Sequence, residues 1–187
     1  MTVPQVLAVV SLVLFVLLAV AFASVLHRAA RVVAVTREDE TFRRDGAALA
    51  ERAAAAIGAG TERIDRVRRR NDAPSALDEV LPQLLETLDA LRVEAEAMVP
   101  PAALAFAGVR IAEEIERAAR AVETVRHGCV LLGVGAGRPR ELEGETSVKR
   151  GYLNLLHARE ALTTQAEGLR TGRTEAGGWY SDRPPTS

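Results

Sequence analysis

The sequence is poor in cysteine, aromatic residues and lysine, and these shortages narrow the fold class. One cysteine in 187 residues excludes a disulfide framework within the chain. Aromatic residues make up only 4% of the sequence, whereas alanine, leucine, arginine and glutamate are abundant. Because these abundant residues favour helices, the composition argues against a β-sandwich or barrel. Lysine occurs only at position 149, and the preference for arginine and alanine indicates a bacterial protein.

The chain also lacks an excess of charge of either sign. Its formal net charge is −1 at pH 7, so no global attraction to a nucleic acid is expected. Hydrophobic residues make up 48% of the sequence, which is too much for a chain that is disordered throughout. The length is typical of one domain, or of one domain with an appendage.

The most informative feature is a run of 21 residues without charge, from Val6 to Leu26. A helix rises about 1.5 Å per residue, so the run would span about 31 Å, the thickness of a bilayer hydrocarbon core. A soluble helix is seldom apolar on every face. We therefore predict a transmembrane helix over residues 6–26, whose membrane-spanning side chains include Val6, Leu14, Phe15, Leu18 and Leu26.

Two other interpretations of this run stay open. Ala21-Phe22-Ala23 before Ser24 resembles a signal-peptide cleavage site. However, residues 1–5 carry no basic side chain and the run is longer than the apolar core of most signal peptides. A buried helix of a soluble protein is the third interpretation.

The charges that flank the run predict its orientation. Basic residues near a span stay in the cytoplasm, and they follow the run at Arg28, Arg31 and Arg37. We expect residues 1–5 outside the cell, residues 27–45 as a juxtamembrane segment and the rest of the chain in the cytoplasm. The predicted location is the bacterial inner membrane, crossed once.

The pattern of residues 46–171 predicts an antiparallel bundle of about four helices with coiled-coil-like packing. Apolar or small residues recur at spacings of three and four, which mark one face of each helix. The first helix, from about Gly46 to Arg70, has this pattern at Leu49, Ala53, Ala56, Gly60, Ile64 and Val67. The second shows it from Leu77 through Leu88 to Met98, the third from Leu104 to Leu132, and the last from Val148 through Leu155 to Leu169. Residues 172–187 have no such period and are expected to form a disordered tail.

Capping residues predict where these helices begin and end. Gly46 follows a mixed-charge stretch, so the chain either bends there or continues as one long helix. Ser75, with Asp78 three residues later, predicts the N-cap of the Leu77–Met98 helix. Pro82 lies inside that pattern, so it either kinks the helix or shifts its start. The last helix is expected to begin near Glu145.

Net charge predicts which helices are neighbours. Residues 27–74 carry a net charge of +3, and residues 75–101 carry −5. The two helices should therefore attract, although each exposed ion pair contributes only about 0.2–1 kcal/mol.

The strongest candidate for an anion or partner contact is a basic cluster at the end of the first bundle helix: Arg66, Arg68, Arg69 and Arg70. Such a cluster can bind phosphate, anionic lipid or nucleic acid. Cations in the last turn of a helix also stabilise its dipole, and this structural interpretation is the one we favour. A second candidate is the aromatic pair Trp179 and Tyr180, which is either a docking anchor in the tail or a segment that folds back onto the bundle.

No catalytic or metal-binding pattern is recognised. The glycines at 133, 135 and 137 follow a helix rather than a strand, so they indicate a connector. His127, His157 and Cys129 do not share a helix face, and no metal-ligand spacing occurs. The glutamates at 113, 114, 116 and 123 alternate with arginine, which predicts a solvated, salt-bridged face. We predict no enzyme activity, no cofactor, no metal and no small-molecule substrate.

These features predict a membrane-anchored interaction or scaffold protein whose helical bundle binds a protein partner or a second copy. The alternative is an extracytoplasmic sensor or ligand-binding bundle, tethered by or exported with the apolar run. An all-helical enzyme subunit, whose cofactor comes from another chain, is a third alternative.

Overall fold

The structure, a computed structural model, describes residues 3–133 and 138–172. Every regular element in these ranges is a helix, which confirms the all-α prediction. The α-helices are α1 (Val3–Arg68), α2 (Val80–Ala97), α3 (Ala105–Gly133) and α4 (Arg138–Thr171). Two short 3-10 helices, Pro74–Leu77 and Ala102–Leu104, precede α2 and α3. The chain divides into two units, Met1–Glu40 and Thr41–Ser187.

The N-terminal unit is helical from Val3 and exposes large apolar side chains. Phe15 is 73% exposed, and more than half of the surface is also exposed at Leu18, Val20, Phe22 and Leu26. At 3.6 residues per turn, Val20 lies on the side of the helix opposite Phe15, so apolar side chains point outward in more than one direction. Within the part of the chain that the structure describes, no helix is long and hydrophobic enough to qualify as a membrane span, so the transmembrane helix expected over residues 6–26 stays a prediction.

Helix α1 continues through Gly46, so the chain does not bend there. A glycine inside a helix costs about 1 kcal/mol relative to alanine. Close packing offsets this cost, because a Cβ atom on Gly46 would lie 3.2 Å from Cδ1 of Leu169. Of the two predicted alternatives at this position, the uninterrupted helix is the one observed.

In the C-terminal unit, α1 and α2 pack side by side in opposite directions. Gly46 lies near Met98 at the end of α2, whereas Gly60 lies against Leu84. Thus the later part of α1 meets the earlier part of α2. Arg52 of α1 also pairs with Glu94 of α2, which confirms one contact between the positively and negatively charged helices.

Helix α4 is antiparallel to both α1 and α3. Its last turns lie near Gly46, whereas Arg159 lies over Gly58. Against α3, Gly144 meets Gly128 and Gly151 meets Ala121, again in reversed order. Each consecutive pair of helices therefore runs in opposite directions, as the sequence predicted for the bundle.

One hydrophobic core occupies the centre of this unit, and the predicted stripes supply most of it. The buried residues of α2 are Leu81, Leu84, Leu88, Leu91 and Ala95. On α3 the buried stripe includes Ile111, Ile115, Ala118, Val122, Val125 and Cys129, and on α4 it includes Val148, Leu155, Leu162, Ala166 and Leu169. A fully buried leucine contributes about 1.5–3 kcal/mol, so these stripes stabilise the bundle far more than its surface charges do.

Two predicted helix starts are wrong. Ser75 is not an N-cap but lies in the 3-10 helix, and α2 begins at Val80 with Glu79 as its cap and no side-chain capping bond. The reason is Pro82, which lacks an N–H and is tolerated only near the start of a helix. Of the two alternatives predicted for Pro82, a kink or a shifted start, the shifted start is the one observed. Helix α4 begins at Arg138 rather than near Glu145. Gly144, which lies inside this helix, is buried against α3.

Candidate interaction surface

The basic cluster lies where α1 ends. Arg66 and Arg68 are in the last turn of the helix. The N–H of Asn71 donates to the carbonyl of Arg66, and the N–H of Arg70 donates to the carbonyl of Val67, both at 2.9 Å. These two bonds form a Schellman motif, in which the residue after the helix adopts a left-handed conformation. That residue is Arg70, with φ of 61°, where glycine is usual.

Asp65, one turn before the end of the helix, holds two of the arginines. Its carboxylate lies 2.7 Å from Nη2 of Arg68 and 2.7 Å from Nε of Arg69. The hydrogen bond from Arg68, followed by the charges of both arginines, lowers the pKa of Asp65 despite some desolvation. Asp65 therefore stays ionised and neutralises part of the cluster.

The other two arginines pair outside the helix. Arg66 lies 3.5 Å from the carboxylate of Asp72, and Arg70 pairs with Glu145 of α4. The guanidinium of Arg68 also lies 5.1 Å from the centre of the Tyr152 ring. Each arginine of the cluster thus has a carboxylate partner within the chain, which supports the structural interpretation.

A groove of about 650 Å³ opens beside the cluster, between the end of α1 and the start of α4. Its charged lining has both signs: Arg68, Arg70, Lys149, Asp72, Glu141 and Glu145. Because the carboxylates match the cations in number, the groove has no preference for a simple anion. A surface of this kind fits a partner that itself presents both charges.

A second, mostly apolar groove of about 340 Å³ lies between the 3-10 helix before α2 and the end of α3. Leu77, Leu81 and Val130 line it together with Cys129. Burial, with a smaller contribution from the charge of Asp78, raises the pKa of the Cys129 thiol to about 11. A protonated, buried thiol is a small hydrophobic group and not a nucleophile.

Other predicted features are not brought together. His127 and His157 are exposed, whereas Cys129 is buried. Within residues 3–133 and 138–172, no group of histidine, cysteine or carboxylate side chains has a metal-binding arrangement. Gly133 ends α3, and positions 135 and 137 lie outside the described residues.

The glutamates of α3 follow the prediction with one exception. Glu116 pairs with Arg120, and Glu123 lies 2.7 Å from Arg126, both on an exposed face. Glu114 is not solvated: it is only 1% exposed, and both of its carboxylate oxygens accept from Nη1 of Arg117 at 2.9 Å. Glu114 lies seven residues before Ala121 and fourteen before Gly128, both of which face α4. Glu114 therefore shares the face of α3 that packs against α4, which is why the prediction of a solvated side chain was wrong.

The N-terminal and C-terminal candidates are described only in part. Phe15, Leu18, Leu26 and Arg37 are exposed. The side chains of Val6, Leu14, Arg28 and Arg31 lie outside the described ones, as do Trp179 and Tyr180.

Sequence reasoning missed the partners of the basic cluster. Asp65 is predictable, because carboxylates three and four residues before an arginine meet it on a helix. Glu145 and Tyr152 are not, since they reach the cluster from α4 and their positions depend on the register between helices.

Compared with known proteins, the chain matches no protein-family model, no curated protein and no solved structure.

Proposed function

We propose that this chain is a membrane-anchored interaction protein. Residues 6–26 cross the bilayer, and the helical bundle binds a protein partner or a second copy next to the membrane. The observation that carries the proposal is the exposure of Phe15, Leu18, Val20, Phe22 and Leu26 on more than one side of a helix. Burying each such side chain gains about 1.5–3 kcal/mol, so these residues require an apolar environment around the helix.

A helical conformation suits this environment. Lipid offers no partners for backbone N–H and carbonyl groups, and a helix pairs them internally. The sequence supplies the remaining support, namely the absence of charge over 21 residues and the basic residues that follow. This charge pattern favours an N-terminus outside the cell and a cytoplasmic bundle.

The properties of the bundle favour binding over catalysis. Its basic cluster is paired with carboxylates, and its two grooves hold no set of side chains arranged for acid–base or nucleophilic chemistry among the described residues. The bundle also exposes large apolar side chains, which are Val93, Val99, Phe106, Val109, Val130, Leu142 and Leu153. Exposed apolar side chains of this size are typical of binding surfaces when they lie together.

Cysteine labelling tests the anchor and its orientation. Cys129 is replaced with alanine, and one cysteine is then introduced as Thr2→Cys in one variant and Ser187→Cys in another. We expect a membrane-impermeant thiol reagent, applied to intact cells, to label only the Thr2→Cys variant. Labelling of the Ser187→Cys variant alone would contradict the proposed orientation. Lysed cells, in which both variants react, provide the control.

The interaction half of the proposal has its own test. The full chain, extracted from its native membrane in mild detergent, is expected to purify with a stoichiometric partner or as a dimer, as measured by light scattering. A monomer that carries no partner would contradict it.

An extracytoplasmic ligand-binding bundle is the second candidate. It is favoured by Ala21-Phe22-Ala23 before Ser24 and by the groove of about 650 Å³ beside the basic cluster. In this case the Ser187→Cys variant would be labelled in intact cells. The mature protein would begin near Ser24 if the run is cleaved, and would keep residues 1–26 if the run is retained as a tether.

A further inference from the structure

One end of the bundle combines several features that call for a covering segment. We call it the Phe42 end, and it comprises residues 42–46 of α1, residues 98–109 at the connection from α2 to α3, and residues 165–172 at the end of α4. Contacts define it: Phe42 and Pro100 both lie near Gly108, Leu169 lies near Gly46, and Gly172 lies near Arg43.

Large apolar side chains at this end are exposed. Val99 is 89% exposed and Phe106 is 67% exposed, and Val109 is more than half exposed one turn further along α3. The guanidinium of Arg110 lies 5.7 Å from the centre of the Phe106 ring, but it leaves most of that ring uncovered. The end therefore presents an apolar surface suited to an aromatic side chain.

Polar atoms at the same end are buried without partners. Nη1 of Arg43 and both amide atoms of Gln165 are inaccessible to solvent, and none has a hydrogen-bond partner among the described residues. Buried polar groups are nearly always hydrogen-bonded, since an unpaired one carries its full desolvation cost. These three unpaired atoms lie in the two helices, α1 and α4, that border this end of the bundle.

The chain itself provides a segment of the required chemistry and reach. Gly172 lies against Arg43, where a Cβ atom on Gly172 would be 3.4 Å from Nη1 of that arginine. The sequence continues for 15 residues and includes Glu175, Trp179, Tyr180 and Asp182. The seven steps from Gly172 to Trp179 reach about 23–25 Å when extended, whereas packed helices are about 8–10 Å apart. Trp179 can therefore reach Phe106 from the end of α4.

We propose that residues 173–187 dock on the Phe42 end of their own bundle. Trp179 and Tyr180 cover the surface of Val99, Phe106 and Val109. The docking is independent of the membrane anchor, because every residue that it uses lies in the C-terminal unit.

Trp179 is the only tryptophan in the chain, so its fluorescence reports directly on the proposed contact. The full chain in lipid nanodiscs is expected to show blue-shifted emission and weak quenching by acrylamide. In a Phe106→Ser variant we expect a red shift and a rise of about twofold or more in the quenching constant, because one face of the indole regains solvent. Phe106 is exposed, so this substitution leaves the core intact.

Leu142→Ser is the matched control, since Leu142 is similarly exposed but lies near the start of α4, far from the Phe42 end. It should leave both the emission and the quenching unchanged. A solvent-exposed indole in the unsubstituted protein, or an equal response to both substitutions, would overturn the proposal.

Two further measurements identify other occupants of the surface. Brominated lipids in the nanodisc would quench Trp179 strongly if lipid covered it.

In a Cys129→Ala background, Val109→Cys and Ser181→Cys are combined and oxidised. We expect a disulfide within one chain, as judged by mass spectrometry. Strong quenching by the brominated lipids, or a disulfide that joins two chains, would overturn intramolecular docking.

Discussion

At the scale of single residues, burial decides which groups are chemically active. Cys129 is the only thiol, and it lies in the core beside the apolar groove of Leu77 and Leu81. Its raised pKa of about 11 follows mainly from desolvation of the thiolate. The same residue type at an exposed helix end would be reactive, so its position in the apolar stripe explains its inertness.

We expect native Cys129 to react slowly with iodoacetamide near neutral pH, and the rate to rise only as pH approaches 11. The unfolded thiol ionises at lower pH than the folded thiol. The stability that this group contributes is therefore fully present below the unfolded pKa, and it is lost as pH rises through the folded pKa. Alkylation of the full chain, followed by mass spectrometry with and without denaturant, measures how fast the thiol reacts in the folded and in the unfolded protein. Fast modification of the native protein at neutral pH would contradict the assignment.

Glu114 shows what the sequence pattern does not reveal about a single residue. It has the same acidic and basic neighbours as Glu113 and Glu116, yet it is buried and the others are exposed. The periodicity identifies the residues at the centre of an apolar stripe. Whether a residue at the edge of the stripe is buried depends on the position of the neighbouring helix. That helix is α4, and its small residues allow it to approach closely.

At the scale of elements, glycine sets the distance between α3 and α4. A Cβ atom on Gly128 would lie 2.8 Å from the carbonyl oxygen of Gly144, and one on Gly151 would lie 2.8 Å from the carbonyl oxygen of Ala121. Such distances to backbone atoms are shorter than real Cβ contacts, so the helices would have to separate. Close packing therefore requires glycine at these positions.

Replacing Gly128 with alanine is expected to destabilise the bundle by about 1–3 kcal/mol, because overpacking outweighs the roughly 1 kcal/mol gained in helix propensity. Gly133→Ala is the matched control. It lies on the same helix, where a Cβ atom would meet nothing within 4 Å. It should be neutral or slightly stabilising. Urea unfolding followed by circular dichroism compares the two, and equal stability of both variants would contradict the packing account.

The helices were more predictable than their boundaries. Leu88 and Leu155 were expected in apolar stripes, and both are fully buried, because three-four spacing identifies a helix face directly. Ile57, also fully buried, was missed because the predicted stripe passed through Ala56 instead. The start of α4 was misplaced because the predicted apolar stripe begins only at Val148, so the pattern does not mark the residues between Arg138 and Glu145 as helical.

At the scale of the whole molecule, charge orients the bundle and the core stabilises it. Among the described residues, ion pairs between helices join Arg52 to Glu94, Glu51 to Arg170 and Arg70 to Glu145. All six side chains are exposed, so each pair contributes about 1 kcal/mol at most. The opposite net charges of the first two bundle helices were visible in the sequence. The pairs with α4 were not, since they depend on its register against α1.

Residues 6–26 are proposed to anchor the bundle in a bilayer, and alkaline extraction of membranes is the sharpest test of this anchor. We expect the unsubstituted chain to stay in the membrane pellet at high pH. A Leu14→Arg/Leu18→Arg variant should move to the soluble fraction, since each arginine near the centre of a span costs about 2.5–3.5 kcal/mol. Leu14→Ala/Leu18→Ala, the matched control, should stay in the pellet. Release of the unsubstituted chain, or retention of the double-arginine variant, would contradict the anchor.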